Sequence, residues 1–180
     1  MAGEMSTLPG TLEVRYDLCT GCRACQVACA IQNEGLLWLE AARIRVLQVG
    51  PGPLDVPVYC HQCSDHPCVA ACPPKVKALS CDPGSGVVKV DPALCLRSRG
   101  AKCRRCYQAC PAGAINFHPA TGLPLFCHLC DGHPACVTAC GPGALSYISG
   151  SSFDSKVYAR RPETMVDDLT LKIYGRFNAG

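Results

Sequence analysis

The 180-residue chain predicts an α+β fold of small hairpins and short helices, assembled as two units related by duplication. Three observations carry that expectation. Sixteen of the 17 cysteines fall into four groups of four. The groups repeat one another in alternate pairs, and short β-like segments bounded by Gly, Pro or Asp lie between them.

Along the chain, a β-like segment at Leu12 to Tyr16 leads into the first group, Cys19-x2-Cys22-x2-Cys25-x3-Cys29. Ile44 to Val49 separates it from the second, Cys60-x2-Cys63-x4-Cys68-x3-Cys72. Cys81 stands alone in a strand-like stretch and reads as a small buried hydrophobe. The turn Asp82-Pro-Gly-Ser-Gly86 then joins that stretch to Val87 to Val90 as a hairpin. The third group is Cys95-x7-Cys103-x2-Cys106-x3-Cys110. Ala114 to Phe117 and Leu123 to Phe126 flank the turn His118-Pro-Ala-Thr-Gly122, a second hairpin. The fourth group, Cys127-x2-Cys130-x5-Cys136-x3-Cys140, precedes a last segment, Ala144 to Ile148. Beyond Gly150 the cysteines stop, and Met165, Val166, Leu169, Leu171 and Ile173 allow a short amphipathic segment that straps onto its own domain.

Duplication shows outside the cysteines as well. Cys60-His-Gln-Cys-Ser-Asp-His-Pro-Cys-Val-Ala-Ala-Cys72 runs beside Cys127-His-Leu-Cys-Asp-Gly-His-Pro-Ala-Cys-Val-Thr-Ala-Cys140, with Ala135 the one extra residue. The first and third groups share Cys-Arg-x-Cys-x-x-Ala-Cys, at Cys22 to Cys29 and Cys103 to Cys110.

The spacing points to iron and sulfur. Two residues between cysteines let a tight loop wrap one corner of a cubane with its N–H groups turned toward the sulfides. A fourth cysteine three residues on lies one helical turn away, so its side chain leaves that loop for a different cluster. Sixteen thiolates suffice for four 4Fe-4S clusters, one thiolate per iron. Zinc is the competing reading of cysteine pairs and would make the chain a binding scaffold, but a tetrahedral ion has no use for the third and fourth cysteines of these groups.

Composition agrees with a metal-held fold. Setting the cysteines aside lowers the apolar share from 48% to about 38%, too lean a core to offset chain entropy unaided. The apoprotein is expected to be largely unfolded. Each filled cubane brings a net charge of about −2, so four of them turn the formal +3 into about −5. Nucleic-acid binding is therefore not expected. Met1 to Gly10 carries neither a signal-peptide pattern nor a twin-arginine pair, and no apolar run spans a bilayer, so the expected location is cytoplasmic, with no direct membrane insertion.

With Cys19-Thr-Gly-Cys-Arg-Ala-Cys-Gln-Val-Ala-Cys29, Cys72-Pro73, Gly86-Val-Val-Lys-Val-Asp91 ahead of Cys95, and Cys110-Pro-Ala-Gly-Ala-Ile115, residues 12 to about 148 resemble the four-cluster polyferredoxin family. That family includes the electron-transfer subunits of dimethyl sulfoxide reductase-like molybdenum enzymes and of tungsten aldehyde oxidoreductases. The resemblance implies two bacterial-ferredoxin-like units: an outer one from residues 11–50 and 114–150, an inner one from 51–113, and a tail at 151–180. It further implies that Cys19, Cys22, Cys25 and Cys140 hold one cluster and Cys127, Cys130, Cys136 and Cys29 its neighbour. The inner pair would be Cys60, Cys63, Cys68 with Cys110, and Cys95, Cys103, Cys106 with Cys72. The implied role is a non-catalytic relay of single electrons between a catalytic molybdenum or tungsten subunit and a flavin or other redox subunit or carrier. An iron-sulfur accessory protein that helps to mature a metalloenzyme is a third reading. The chain departs from the family at the third group, where seven residues replace the usual two. The insert Leu96-Arg-Ser-Arg-Gly-Ala-Lys102 can loop out and leave Cys95 in place, with Cys81 as a substitute ligand in the rival reading. Cys140 is followed by Gly141-Pro142 where Pro would follow directly.

Smaller signals remain. His61, His66, His128 and His133 recur in the two copies and are candidates for N–H bonds to cluster sulfur, whereas His118 is expected to be solvated in its turn. Arg97, Arg99, Lys102, Arg104 and Arg105 form the densest basic run, read either as compensation for cluster charge or as a docking patch for an acidic redox partner. No dinucleotide fingerprint, P-loop or nucleophile elbow is present.

Overall fold

The computed structural model describes residues 10–49, 54–150 and 159–175. Expectations that concern residues 1–9, the unit boundary at 50–51 and the start of the tail at 151–155 fall outside the described residues.

Among the described residues strands pair only in twos. β1 (Gly10–Val14) and β8 (Leu145–Ser149) are antiparallel with Leu12 opposite Tyr147, so the two ends of the cysteine-bearing region meet. Gly10 is required there, because a β-carbon would collide with the Tyr147 ring. β2 (Arg45–Gln48) pairs with β3 (Asp55–Val58). Sequence patterning does not reveal β3, because Pro57 sits inside it. A two-stranded ribbon has only edges, and an edge tolerates the missing donor. β4 (Leu79–Cys81) pairs with β5 (Val88–Val90), and β6 (Asn116–Phe117) with β7 (Pro124–Leu125). Both turns read from the sequence close these hairpins. Gly86 N–H donates to the Asp82 carbonyl over 2.8 Å, and Gly122 N–H to that of His118 over 2.7 Å.

The helices are short. α1 (Ala24–Glu34) ends at Gly35, whose φ of 72° is the left-handed cap that turns its N–H to the Ile31 carbonyl. α2 (Pro67–Ala70), α3 (Arg105–Ala109) and α4 (Ala135–Thr138) are single turns. Helices of that length hold only by packing. α1 lies on α4, and α2 on α3.

Among the described residues three buried clusters form the core, and cysteines belong to or pack against each. Leu12, Ala30, Ile44, Val46, Tyr59 and Leu129 surround Cys25, Cys29 and Cys136. Leu79, Val88, Ile115 and Phe126 surround Cys106. The third cluster, Leu54, Val56, Val58, Ala112 and Ala114, packs against Cys63 and Cys110 and is covered by Val166, Leu169 and Ile173 of α5 (Pro162–Tyr174). The tail helix thus straps onto its own chain, with Leu171 and Tyr174 left exposed.

His118 differs from expectation. Its ring meets that of Trp38 edge-on at 5.1 Å and lies 3.2 Å from the Glu34 carboxylate, which Arg43 also holds, so the side chain is only 13% exposed. Among the described residues no helix is long and apolar enough to cross a membrane.

Candidate metal centres

All four cysteine loops are bent by residues in the left-handed region, the third by Gly100 (φ 83°). Gly21 (φ 67°) and Arg23 (φ 61°) shape the first, Gln62 (φ 51°) and His66 (φ 41°) the second, and Leu129, Cys130 and Asp131 (φ 57°, 47° and 53°) the fourth. Such turns point consecutive N–H groups to one side and make a concave donor surface suited to negative charge. Backbone N–H groups beside the sulfurs, those of Gly21 at Cys19 and Gln62 at Cys60 among them, favour the ionised thiolate against the cost of burial. The Arg43 N–H lies 3.2 Å from Cys29 Sγ, and that of Leu129 3.4 Å from Cys127 Sγ.

Four cavities result, each lined by four cysteines. All four open partly to solvent: Cys19, Cys22, Cys25 and Cys140 line one of about 310 Å³, and Cys29, Cys127, Cys130 and Cys136 one of about 340 Å³. Cys60, Cys63, Cys68 and Cys110 line a third of about 380 Å³, and Cys72, Cys95, Cys103 and Cys106 a fourth of about 360 Å³. Every quartet takes three cysteines from one group and its fourth from another. The insert after Cys95 folds as a short turn at Leu96–Arg99, and Cys95 stays at its cavity. Cys81 joins none of the four. Its thiol instead meets His66 Nε2 at 2.9 Å on the hairpin β4–β5.

The cavity walls are otherwise mostly apolar, and burial disfavours ionised thiols there. It pushes Cys25 and Cys106 up to about 11, Cys127 and Cys136 up to about 12, and Cys60 and Cys68 higher still. A cationic core at the centre of a ring would make these buried thiolates tolerable. A tetrahedral zinc site would set its sulfurs about 3.8 Å apart. Among the described residues no three Cys, His, Asp or Glu side chains converge as a single-ion site requires. Four thiols around a roomy, apolar, donor-lined hollow fit a 4Fe-4S core.

The cavities stand in a row. Cys127 is close enough to disfavour ionisation of the Cys60 thiol, and Cys25 that of Cys136. The Cys60 cavity is tied to its neighbour on the other side by α2, which leads to Cys72, and α3, which leads to Cys110. The row therefore runs from the Cys95 cavity through those of Cys60 and Cys127 to that of Cys19. Gln62, 2% exposed, spans the middle junction with a 2.7 Å bond from Nε2 to the Cys127 carbonyl.

Polar groups beside the rings were missed by sequence reasoning. Asn33, four residues after Cys29 on α1, donates from Nδ2 to the Cys29 carbonyl (2.7 Å) and lies 3.6 Å from its sulfur. His128 Nε2 donates to Asn33 Oδ1 at 2.9 Å, so this histidine reaches a cysteine through an amide and not directly. His66 meets Cys81, and His61 stacks on Tyr59 at 4.5 Å, neutral because burial lowers it to about 4. The i, i+4 spacing of Cys29 and Asn33 was the available signal.

A family described as a 4Fe-4S dicluster domain matches residues 54–149. The polyferredoxin-like subunit of an aliphatic sulfonate oxidoreductase from Pyrococcus furiosus is 38% identical over 163 residues, covering 88% of this chain and 90% of that protein. The thiosulfate reductase electron transfer subunit PhsB of Salmonella typhi is 32% identical over 143 residues, 72% of this chain and 70% of its own length. A protein from the active site complex BamBC of benzoyl coenzyme A reductase with benzoyl-CoA is similar over 94% of this chain and 91% of its own, at 26% identity and a TM-score of 0.46.

Proposed function

Because the chain belongs to the 4Fe-4S dicluster domain family, and is an iron-sulfur electron-transfer subunit, we propose that its four cysteine-ringed cavities are the stations of a one-electron relay inside an oxidoreductase complex. Bound 4Fe-4S clusters supply reversible one-electron chemistry. The ligands are the four quartets: Cys19, Cys22, Cys25, Cys140; Cys29, Cys127, Cys130, Cys136; Cys60, Cys63, Cys68, Cys110; and Cys72, Cys95, Cys103, Cys106. The observation that carries this reading is the crossing of groups, three cysteines from one loop and the fourth from another, at all four cavities.

The chain's own residues do three things for such a relay. Left-handed loop positions aim N–H groups at the thiolates and hold their charge in place. Leu12, Ile44, Leu79, Ile115 and Phe126 keep water from the sulfurs. Gln62 fixes the spacing of the two middle cavities, with Cys60 on one side and Cys127 on the other. The pairing of β1 with β8 and of α1 with α4 supports an outer unit built from 11–50 and 114–150, and the pairing of α2 with α3 an inner unit at 51–113. The shared motifs of alternate groups support descent of the two by duplication.

In this reading the chain turns over no substrate itself. Its source and sink are a catalytic subunit of molybdenum or tungsten type and a flavin or other redox subunit, in the reducing cytoplasm where thiols stay free for iron. The experiment is to add a substrate-fed catalytic subunit to the anaerobically reconstituted chain. Bleaching of its clusters, with no turnover by the chain alone, is the expected result. Oxidation or reduction of a small substrate by the isolated chain at enzymatic rates would refute it.

A further inference from the structure

Six cations ring one end of the row of cavities, and the chain places them there from three separate segments. Lys75 and Lys77 flank Val76, which lines the Cys95 cavity together with Pro73. Arg99 and Lys102 lie on the insert after Cys95, and Arg104 and Arg105 open α3 inside the Cys103 to Cys106 loop. All six are exposed, and among the described residues none pairs with a carboxylate. The sequence shows only part of this set and includes one residue that does not belong. Arg97 is held inside the fold, with its guanidinium 3.8 Å over the Phe117 ring and bonded to the carbonyls of Gly122 and Cys103.

Cations that served only to balance buried charge would turn inward, as Arg97 does, or pair with acids. These six stay exposed around the rim of a terminal cavity, Arg104 with its guanidinium 4.7 Å over the Tyr107 ring. The Cys19 end carries fewer free cations: Arg23 lines that cavity, while Arg15 is paired with the exposed Asp17. A chain that carries about −5 overall with its clusters repels an acidic partner on balance, and the six cations of this rim offset that repulsion locally.

We propose that the basic rim around the Cys72, Cys95, Cys103 and Cys106 cavity is the docking face for a redox protein that presents carboxylates around its own centre. The inference deepens the relay reading and rests on it. The face selects its partner by charge and sets one end of the relay; Lys75, Lys77, Arg99, Lys102, Arg104 and Arg105 steer the partner, and Cys103, between two of them, marks where the centres come nearest.

Two probes of known charge test it on the reduced holoprotein. Ferricyanide, an anion, takes one electron and leaves as ferrocyanide, and a plant-type 2Fe-2S ferredoxin serves as the acidic protein whose binding is measured directly. Oxidation by ferricyanide should slow as salt is raised, because the local field attracts the anion; the overall negative charge alone would make it quicken. The variant Lys75→Glu, Lys102→Glu, Arg104→Glu should lose about tenfold or more in that rate at low salt and bind the ferredoxin at least about tenfold more weakly. The Gln counterparts at the same three positions should show the same direction at smaller size, which covers a failure of the reversed charges to fold. Normal cluster content with an unchanged salt slope and unchanged ferredoxin binding would overturn the docking face and leave the relay standing. A chain that takes up no reducible clusters would overturn both.

Discussion

Replacing Asn33 with leucine should lower the midpoint potential of one cluster and leave three in place. The amide of Asn33 has two donor hydrogens. One bonds the Cys29 carbonyl at 2.7 Å and the other faces Cys29 Sγ at 3.6 Å, while His128 holds the amide oxygen at 2.9 Å and so fixes its orientation. Reduction adds negative charge to the cluster and its thiolates, so a donor to sulfur favours the reduced state. A hydrogen bond to a charged group contributes about 1.5–3 kcal/mol, and the long distance to sulfur puts this one nearer about 0.5–1.5 kcal/mol. For one electron that is a fall of about 20–65 mV. Anaerobic redox titration followed by paramagnetic resonance reads it. Asn33→Asp, which loses the donor and adds a charge, should fall further, and His128→Ala should move the same cluster by less. A merely structural role for Asn33 would lower the melting temperature and leave the potentials alone. Four unchanged midpoints, or a shift confined to the cluster of Cys19, Cys22 and Cys25, would refute the reasoning.

Three other outcomes follow from the geometry. Gly21→Ala should lose the cluster at Cys19, Cys22, Cys25 and Cys140 selectively, since its φ of 67° costs a side chain about 1–2 kcal/mol and the new β-carbon would strike the Asp55 carboxylate; a full complement of iron in that variant would contradict it. Cys29→Ala should damage the cluster of Cys127, Cys130 and Cys136, and iron loss confined to the Cys19 loop would break the crossed pairing. Burial alone would raise the Glu34 carboxyl, but hydrogen bonds from Arg43 and His118 hold it below the ordinary carboxylate range. Its stabilising contribution is therefore present above the unfolded value of about 4.3 and lost as pH falls through the folded one, so thermal unfolding of wild type and Glu34→Gln should converge on acidification.

The cysteine spacings made the arrangement of the site legible, because a two-residue gap and a three-residue gap have fixed geometric meanings on a loop and a helical turn. The hairpins at Asp82 to Gly86 and His118 to Gly122 were equally readable, since turn chemistry is local. β3 was not, because Pro57 argues against a strand until the ribbon is seen to have no interior. His118 was misplaced for a related reason. Its turn is at the surface, but Trp38 and Glu34 come to it from a segment about eighty residues away, and nothing in the local sequence announces them. Arg97 was misplaced for the same reason, and Lys75 was not singled out at all. One cation of the basic run stacks on Phe117 while another from beyond Cys72 joins the rim, and both facts depend on long-range packing.

The most direct test of a four-cluster relay is the iron and acid-labile sulfide content of the anaerobically reconstituted chain, read with its Mössbauer spectrum. Four cubanes predict about 16 irons and about 16 sulfides per chain, in a single type of 4Fe-4S spectrum. Zinc in place of iron, or about 12 irons with one quartet empty, would contradict a relay of four clusters.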